Sequence, residues 1–121
     1  MRLATILLTL GLLGCGGSAP PRDSGIEGLV TIGPSCPVET PGADCADKPY
    51  AADLIVVERS SSDRVRLRSE AGGAFRVYLA PGNYRILSAA NGGPPSLEFV
   101  DVVVRVHRFT RVTVRFDSGI R

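Results

Sequence analysis

Three cysteines, a single histidine and an excess of arginine are the residues of this 121-residue chain with chemistry to offer. Cys36 and Cys45 lie in a stretch rich in Pro, Gly and Asp, Gly33 to Tyr50 (GPSCPVETPGADCADKPY). Two thiols at that spacing close a short loop when oxidised, a bridge that contributes roughly 2–3 kcal/mol. The competing use is metal, but two cysteines and one distant histidine make a poor zinc set. Glu39, Asp44 and Asp47 occupy the same stretch, and calcium wants six to eight oxygens. Their spacing is not that of a calcium-binding loop, so a solvated loop is the better reading and no metal or other cofactor is expected. His107 is the one residue around which a Ser-His-Asp triad would have to be built. Its place in a tight turn between Val106 and Phe109 reads more simply as an exposed turn residue. Of the fourteen basic residues, thirteen are arginine. Arg64, Arg66 and Arg68 alternate along one segment, and Arg76, Arg85, Arg111 and Arg115 fall on the outward positions of others. The guanidinium fork holds carboxylate or phosphate bidentately, which makes Arg64, Arg66 and Arg68 a candidate binding face. The plainer alternative is a solvated outer surface.

Charge and composition narrow the classes. Fourteen basic against twelve acidic residues give +2, with the signs interspersed, which is weak for a nucleic-acid binder. At 44% hydrophobic the chain is too apolar for a disordered tail. Its length allows one domain. Gly72-Gly73 and Gly92-Gly93 precede strands or prolines, so neither opens a phosphate-binding helix.

The N-terminus reads as an address. Arg2 precedes an apolar run from Leu3 to Leu13 (LATILLTLGLL). A membrane span needs about 20 such residues, whereas the run fits the apolar region of a secretory signal. It ends in Leu12-Leu13-Gly14-Cys15, which closely resembles a bacterial lipobox. The resemblance implies that residues 1–14 are a cleaved signal peptide and that Cys15 carries lipid as the first mature residue. Residues 15–24 then read as a flexible tether whose nine residues after Cys15 (GGSAPPRDS) reach roughly 17 Å. In enteric-type lipoproteins an Asp after the cysteine retains the protein in the inner membrane. Gly16 stands there instead, which leans towards the outer membrane, on its periplasmic or surface face, if the cell is Gram-negative. With Cys15 lipidated, two thiols remain in an oxidising compartment, and the odd cysteine count resolves itself.

The elements that must position the candidate residues are strands. No ten-residue segment keeps apolar positions at helical spacing, and Pro and Gly interrupt every long stretch. Period-two alternation recurs instead. It places Ile26, Gly28, Val30 and Ile32 on one face, Val65 and Leu67 opposite Arg64, Arg66 and Arg68, and Phe75, Val77 and Leu79 opposite Arg76 and Tyr78. Tyr84 and Ile86 alternate with Arg85, and Val112, Val114 and Phe116 with Arg111, Thr113 and Arg115. Ala52 to Glu58 is apolar on both faces, as a central strand is, and Phe99 to Val106 completes seven. Turn chemistry separates them: Ser60 to Asp63, Glu70 to Gly73, a Pro81-Gly82 pair in the order a type II turn wants, and His107-Arg108. The expectation is an all-β fold over residues 25–121. It is a single seven-stranded antiparallel β-sandwich, transthyretin-like or Ig-like, with a disulfide-stapled loop at 33–50.

Gly73-Ala74-Phe75-Arg76-Val77-Tyr78-Leu79-Ala80-Pro81-Gly82-Asn83-Tyr84 resembles the signature of carboxypeptidase-regulatory-like domains. In that family a Gly-x-Phe strand runs into a Leu-x-Pro-Gly-x-Tyr turn. Gly25-Ile26-Glu27-Gly28-Leu29-Val30 resembles the family's first strand. The resemblance implies the transthyretin (prealbumin-like) sandwich and an appendage, stalk or binding module. CPVETPGADCADKPY and the ending FDSGIR also resemble a group of bacterial lipoproteins. Hydroxyisourate hydrolases use the same fold, but they carry several histidines and end in Tyr-Arg-Gly-Ser, which this chain lacks.

Together these features predict a lipid-anchored, non-enzymatic envelope protein. It would meet the membrane through Cys15 and a protein or other envelope component through its surface, with no nucleic acid. The alternatives are a small hydrolase using His107, and a carbohydrate-binding or adhesion module, for which three Tyr and no Trp are thin equipment.

Overall fold

The structure, a computed structural model, describes residues 23–36, 45–90 and 92–120. The signal-like run, Cys15 and most of the tether lie outside the described residues, as do Glu39 and Asp44. Eight strands follow in order: β1 (Gly25–Gly33), β2 (Lys48–Pro49), β3 (Asp53–Glu58), β4 (Arg64–Arg68), β5 (Ala74–Tyr78), β6 (Gly82–Ser88), β7 (Val100–Val104) and β8 (Phe109–Asp117). They form two sheets. In the first, β1 is central, with β8 along one edge and β5 and then β2 along the other. In the second the order is β4-β3-β6-β7, antiparallel throughout.

The inward faces close over one core. Ile26, Val30, Phe75, Val77, Val114 and Phe116 from the first sheet meet Leu54, Val56, Tyr84, Ile86, Val102 and Val104 from the second. Each of these positions is set by period-two alternation, since successive side chains of a strand point to opposite faces. The all-β sandwich is as expected, and every one of the seven anticipated strands is present.

Three details differ from the sequence-based expectation. β1 and β8 are parallel, with Gly25 opposite Phe109 and Gly33 opposite Asp117. Alternation fixes which face a residue takes but says nothing of strand direction. The close β1–β8 approach depends on Gly28, where a Cβ would stand 1.8 Å from the Val112 carbonyl oxygen. Secondly, Lys48–Pro49 in the 33–50 stretch is a short strand on Thr31 and Ile32. Two residues of mixed polarity carry no periodic signal. Thirdly, Pro81-Gly82 does not make a type II hairpin. β5 and β6 belong to different sheets, so the segment carries the chain across the sandwich, and Gly82 at φ 159° is close to extended.

The other crossing, from β4 to β5, does require glycine. Gly73 has φ 86°, and a Cβ there would lie 2.4 Å from the Val30 carbonyl. The Gly73 carbonyl in turn accepts from the Val30 N–H at 2.7 Å, tying the turn to β1.

Tyr84 secures the β5–β6 crossing. Its ring is buried and its hydroxyl donates to the Ala80 carbonyl at 2.6 Å, an arrangement akin to a tyrosine corner. Burial holds the phenol above its ordinary pKa. Tyr84→Phe removes this one bond and is expected to cost about 1 kcal/mol, read as a lower urea midpoint with an unchanged slope.

Candidate functional site

The outward face of the second sheet carries the arginine row. β4 is an edge strand, so Arg64, Arg66 and Arg68 stand in register beside Val57, Ile55 and Asp53 of β3. The three guanidinium groups are exposed. Arg68 pairs with Asp53 at 3.1 Å, while Arg64 and Arg66 have no carboxylate within salt-bridge distance among the described residues. On the inward side Leu67 packs against the core, but Val65 is 39% exposed, because an edge strand has no neighbour to cover it.

Ile55 is 9% exposed although it lies on the outward face and outside the core cluster. Its register partners are Arg66 and Leu87. The face is therefore a shelf, an apolar row of Ile55, Val57 and Leu87 flanked by arginines whose methylene stems suit apolar neighbours. Its far side is closed by Arg85, which grips Asp101 through Nε at 2.7 Å and a second nitrogen at 3.2 Å. Arg85 also stacks on Phe99 at 3.8 Å. The Asp101 carboxyl is held below its usual pKa, chiefly by that hydrogen bond, so Arg85 is committed where Arg64 and Arg66 are not.

A second surface lies on the outward face of the first sheet. Tyr78 and Phe109 both stand opposite Gly25 in register. Their rings meet edge to face, 5.5 Å apart. Arg76 stacks on Phe109 at 3.8 Å and borders Tyr78, while Glu27 pairs with both Arg76 and Arg111. Tyr78 is 44% exposed. Sequence reasoning gave Tyr78 and Arg76 outward positions. It did not find this cluster, because the meeting of residues 78 and 109 across residue 25 depends on the topology.

The stapled stretch sits at the opposite pole, where β1 and β8 end. Cys36 and Cys45 form a disulfide with their Cα atoms 5.1 Å apart. Arg115 braces it by a two-point grip on Asp47, at 2.5 and 3.2 Å. That grip holds the Asp47 carboxyl below its usual pKa and removes Asp47 from any cation site. The Ser118 hydroxyl donates to the Pro34 carbonyl at 2.6 Å, and that of Ser35 to Ala46 at 3.2 Å. Among the described residues no group of three His, Cys, Asp or Glu is placed to hold a metal ion.

His107 lies on the β7–β8 turn with φ 58°, well exposed. Its Nδ1 meets the Asp23 carboxylate, a pairing across the chain that sequence spacing does not suggest. No hydroxyl or thiol reaches the ring among the described residues. The nearby Ser24 hydroxyl is buried and donates to the Leu79 carbonyl at 2.7 Å. Histidine and acid are brought together, but a nucleophile is not.

The β3–β4 hairpin beside the arginine row is held by Glu58. Its carboxylate accepts from the Ser60 hydroxyl at 2.5 Å, from the Ser61 hydroxyl, and from the Ser61 N–H at 2.8 Å. The serine hydroxyls, first Ser60 and then Ser61, pull its pKa from 4.5 down to about 2. A carboxyl depressed on folding stabilises the folded state above its unfolded pKa, and loses that contribution as pH falls towards the folded value. The thermal midpoint should therefore drop as pH is lowered from about 4.5 towards about 2. A pH series on Glu58→Gln should show a shallower drop over that window; an unchanged slope would remove Glu58 from the explanation.

No family model matches the chain, and no curated protein matches it in sequence. Among solved structures, the crystal structure of a minor pilin from the gram-positive pathogen Streptococcus agalactiae is similar, with a TM-score of 0.54 at 15% identity. The match covers 79% of this chain and 45% of the pilin chain, so the chain spans less than half the length of its neighbour. The likeness is one of fold, a pilin-type β-sandwich.

Proposed function

We propose that this is a lipid-anchored, non-enzymatic cell-envelope protein whose sandwich acts as a binding or structural module. In this reading residues 1–14 are the signal peptide, Cys15 bears the lipid and 15–24 is the tether. Residues 25–121 are a carboxypeptidase-regulatory-like domain, held at the outer membrane if the cell is Gram-negative. The lipobox-like tetrad supports the anchor. The disulfide fits export to an oxidising compartment, and a fold like that of a minor pilin fits a surface role.

The observation that carries the binding role is the shelf on the second sheet. Two arginines without acidic partners among the described residues flank an apolar row in which Ile55 is buried and Val57 and Leu87 are half-buried. Such a surface suits an acidic protein or envelope component, with arginine giving orientation and the apolar row giving area. Exposed charge pairs are individually weak and screened by salt, so the contact should be salt-sensitive.

The test is capture from detergent-solubilised membranes by the tagged protein and by variants. Arg64→Glu/Arg66→Glu/Arg68→Glu should fold with little change in thermal midpoint, since all three side chains are exposed. It should lose specific partners by about tenfold or more, as expected for several reversed contacts worth a few tenths to 1 kcal/mol each. His107→Ala should retain them. Partners kept by the triple variant but lost on His107→Ala would instead favour the hydrolase, the second reading for which the His107–Asp23 contact is the one supporting observation.

A further inference from the structure

The pole at which the chain enters the sandwich has chemistry that the arginine shelf does not share. Asp23 and Ser24 are fixed there. Ser24 exchanges hydrogen bonds with Leu79, the Gly25 N–H donates to the Arg108 carbonyl at 3.3 Å, and Asp23 meets His107. The β7–β8 turn, Arg105 to Arg108, forms the tip of this pole. Val106 is 59% exposed at its crest. Arg105 and Arg108 are exposed on either side and have no carboxylate within salt-bridge distance among the described residues.

Beside the turn, the seam between the edges of the two sheets opens as a groove of about 430 Å³. Arg105 and Arg108 line it, with Arg111, which is paired with Glu27, and with Val103 and Phe109. Asp101, the acid on its wall, is already taken by Arg85 and Arg59. The groove therefore presents positive charge with apolar side chains at its margin, the composition of a surface that rests on an anionic bilayer.

Chain length selects the same pole. Eight peptide links separate Cys15 from Asp23 and reach at most about 28 Å. The nine-residue β1, running from the tether pole to the disulfide pole, has eight rises and spans about 26 Å. A lipid on Cys15 thus brings the Arg105–Arg108 turn to the bilayer at the tether's r.m.s. reach of roughly 17 Å, whereas the disulfide pole requires the tether almost fully extended.

We propose that the β7–β8 pole is a membrane-contact surface and that its arginine-lined groove takes the phosphate headgroups of anionic phospholipids. This rests on the lipid anchor proposed above. It adds an orientation, with the groove on the lipid and the Cys36–Cys45 loop held outward.

The test uses the full lipidated protein in vesicles of phosphatidylcholine, with and without phosphatidylglycerol, carrying brominated acyl chains. The chain has no Trp, so Val106→Trp and, at the far end of β6, Ala90→Trp are single reporters. In anionic vesicles the Val106→Trp reporter should be quenched several-fold more than the Ala90→Trp reporter. Arg105→Glu/Arg108→Glu or high salt should abolish the difference. The mass of the chain reports the anchor separately. A Cys15 without lipid removes the anchor and this inference together. A lipidated chain whose two reporters are quenched alike, or whose asymmetry survives the double reversal, leaves the anchor standing and overturns the inference alone.

Discussion

Cys15→Ser is expected to move the protein from the membrane fraction to the soluble one and to abolish palmitate incorporation. The size of the effect follows from the anchor's energetics. Each acyl methylene buried in a bilayer contributes about 0.8 kcal/mol, and two or more chains hold a protein stably where one does not. The protein surface cannot replace that. The groove arginines act through screened charge worth about 1 kcal/mol each at an anionic surface, and the Val106 crest is a single side chain. Fractionation of cells expressing the two forms, with labelled palmitate, reads the result. Equal membrane association of the serine variant would remove the lipobox reading.

The second large effect belongs to the core. Ile86 lies on β6 at the centre of the second sheet, fully buried, with Val56 of β3 beside it in register. Ile86→Ala leaves a cavity bounded by both sheets and is expected to cost about 3 kcal/mol. In a domain of this size that lowers the thermal midpoint by roughly 12–24 °C. Arg66→Ala, on the opposite face two strands away, should shift it by no more than a few degrees. Calorimetry of the two variants distinguishes them, and comparable losses would mean that the inward and outward faces are misassigned.

The two faces were legible in the sequence because alternation is a local property. Val30, Val77, Ile86, Val114 and Phe116 are inward for the same reason that Arg64, Arg66 and Arg68 are outward, whereas Ala52 to Glu58, apolar on both faces, left the side of Leu54 open. The disulfide followed from counting thiols against an exported context. What was not legible depends on which strands are neighbours. The parallel β1–β8 pair places Phe109 across Gly25 from Tyr78. The same topology sets Arg105, Arg108 and Arg111 around one seam, although the sequence offers them only as scattered basic residues. His107 was legible as a turn residue, but its contact with Asp23 was not, since those residues lie 84 positions apart. The exposure of Val65 reflects the edge position of β4, and a clean alternation cannot tell an edge strand from a central one.

The structural likeness to a minor pilin and the resemblance of residues 73–84 to a carboxypeptidase-regulatory-like signature agree on a sandwich while leaving its chemistry open. Among the described residues, the arginines with no carboxylate within salt-bridge distance lie in two places: Arg64 and Arg66 on a sheet face, and Arg105 and Arg108 at the pole where the tether enters.

The claim on which the rest depends is that this sandwich is an exported, lipid-anchored module. The intact mass of the unreduced protein extracted from membranes in detergent tests it in one measurement. The expected species begins at Cys15, carries acyl chains on that residue, and lacks the two hydrogens removed by the Cys36–Cys45 bond. A chain still beginning at Met1, without lipid and with all three thiols open to alkylation, would contradict it.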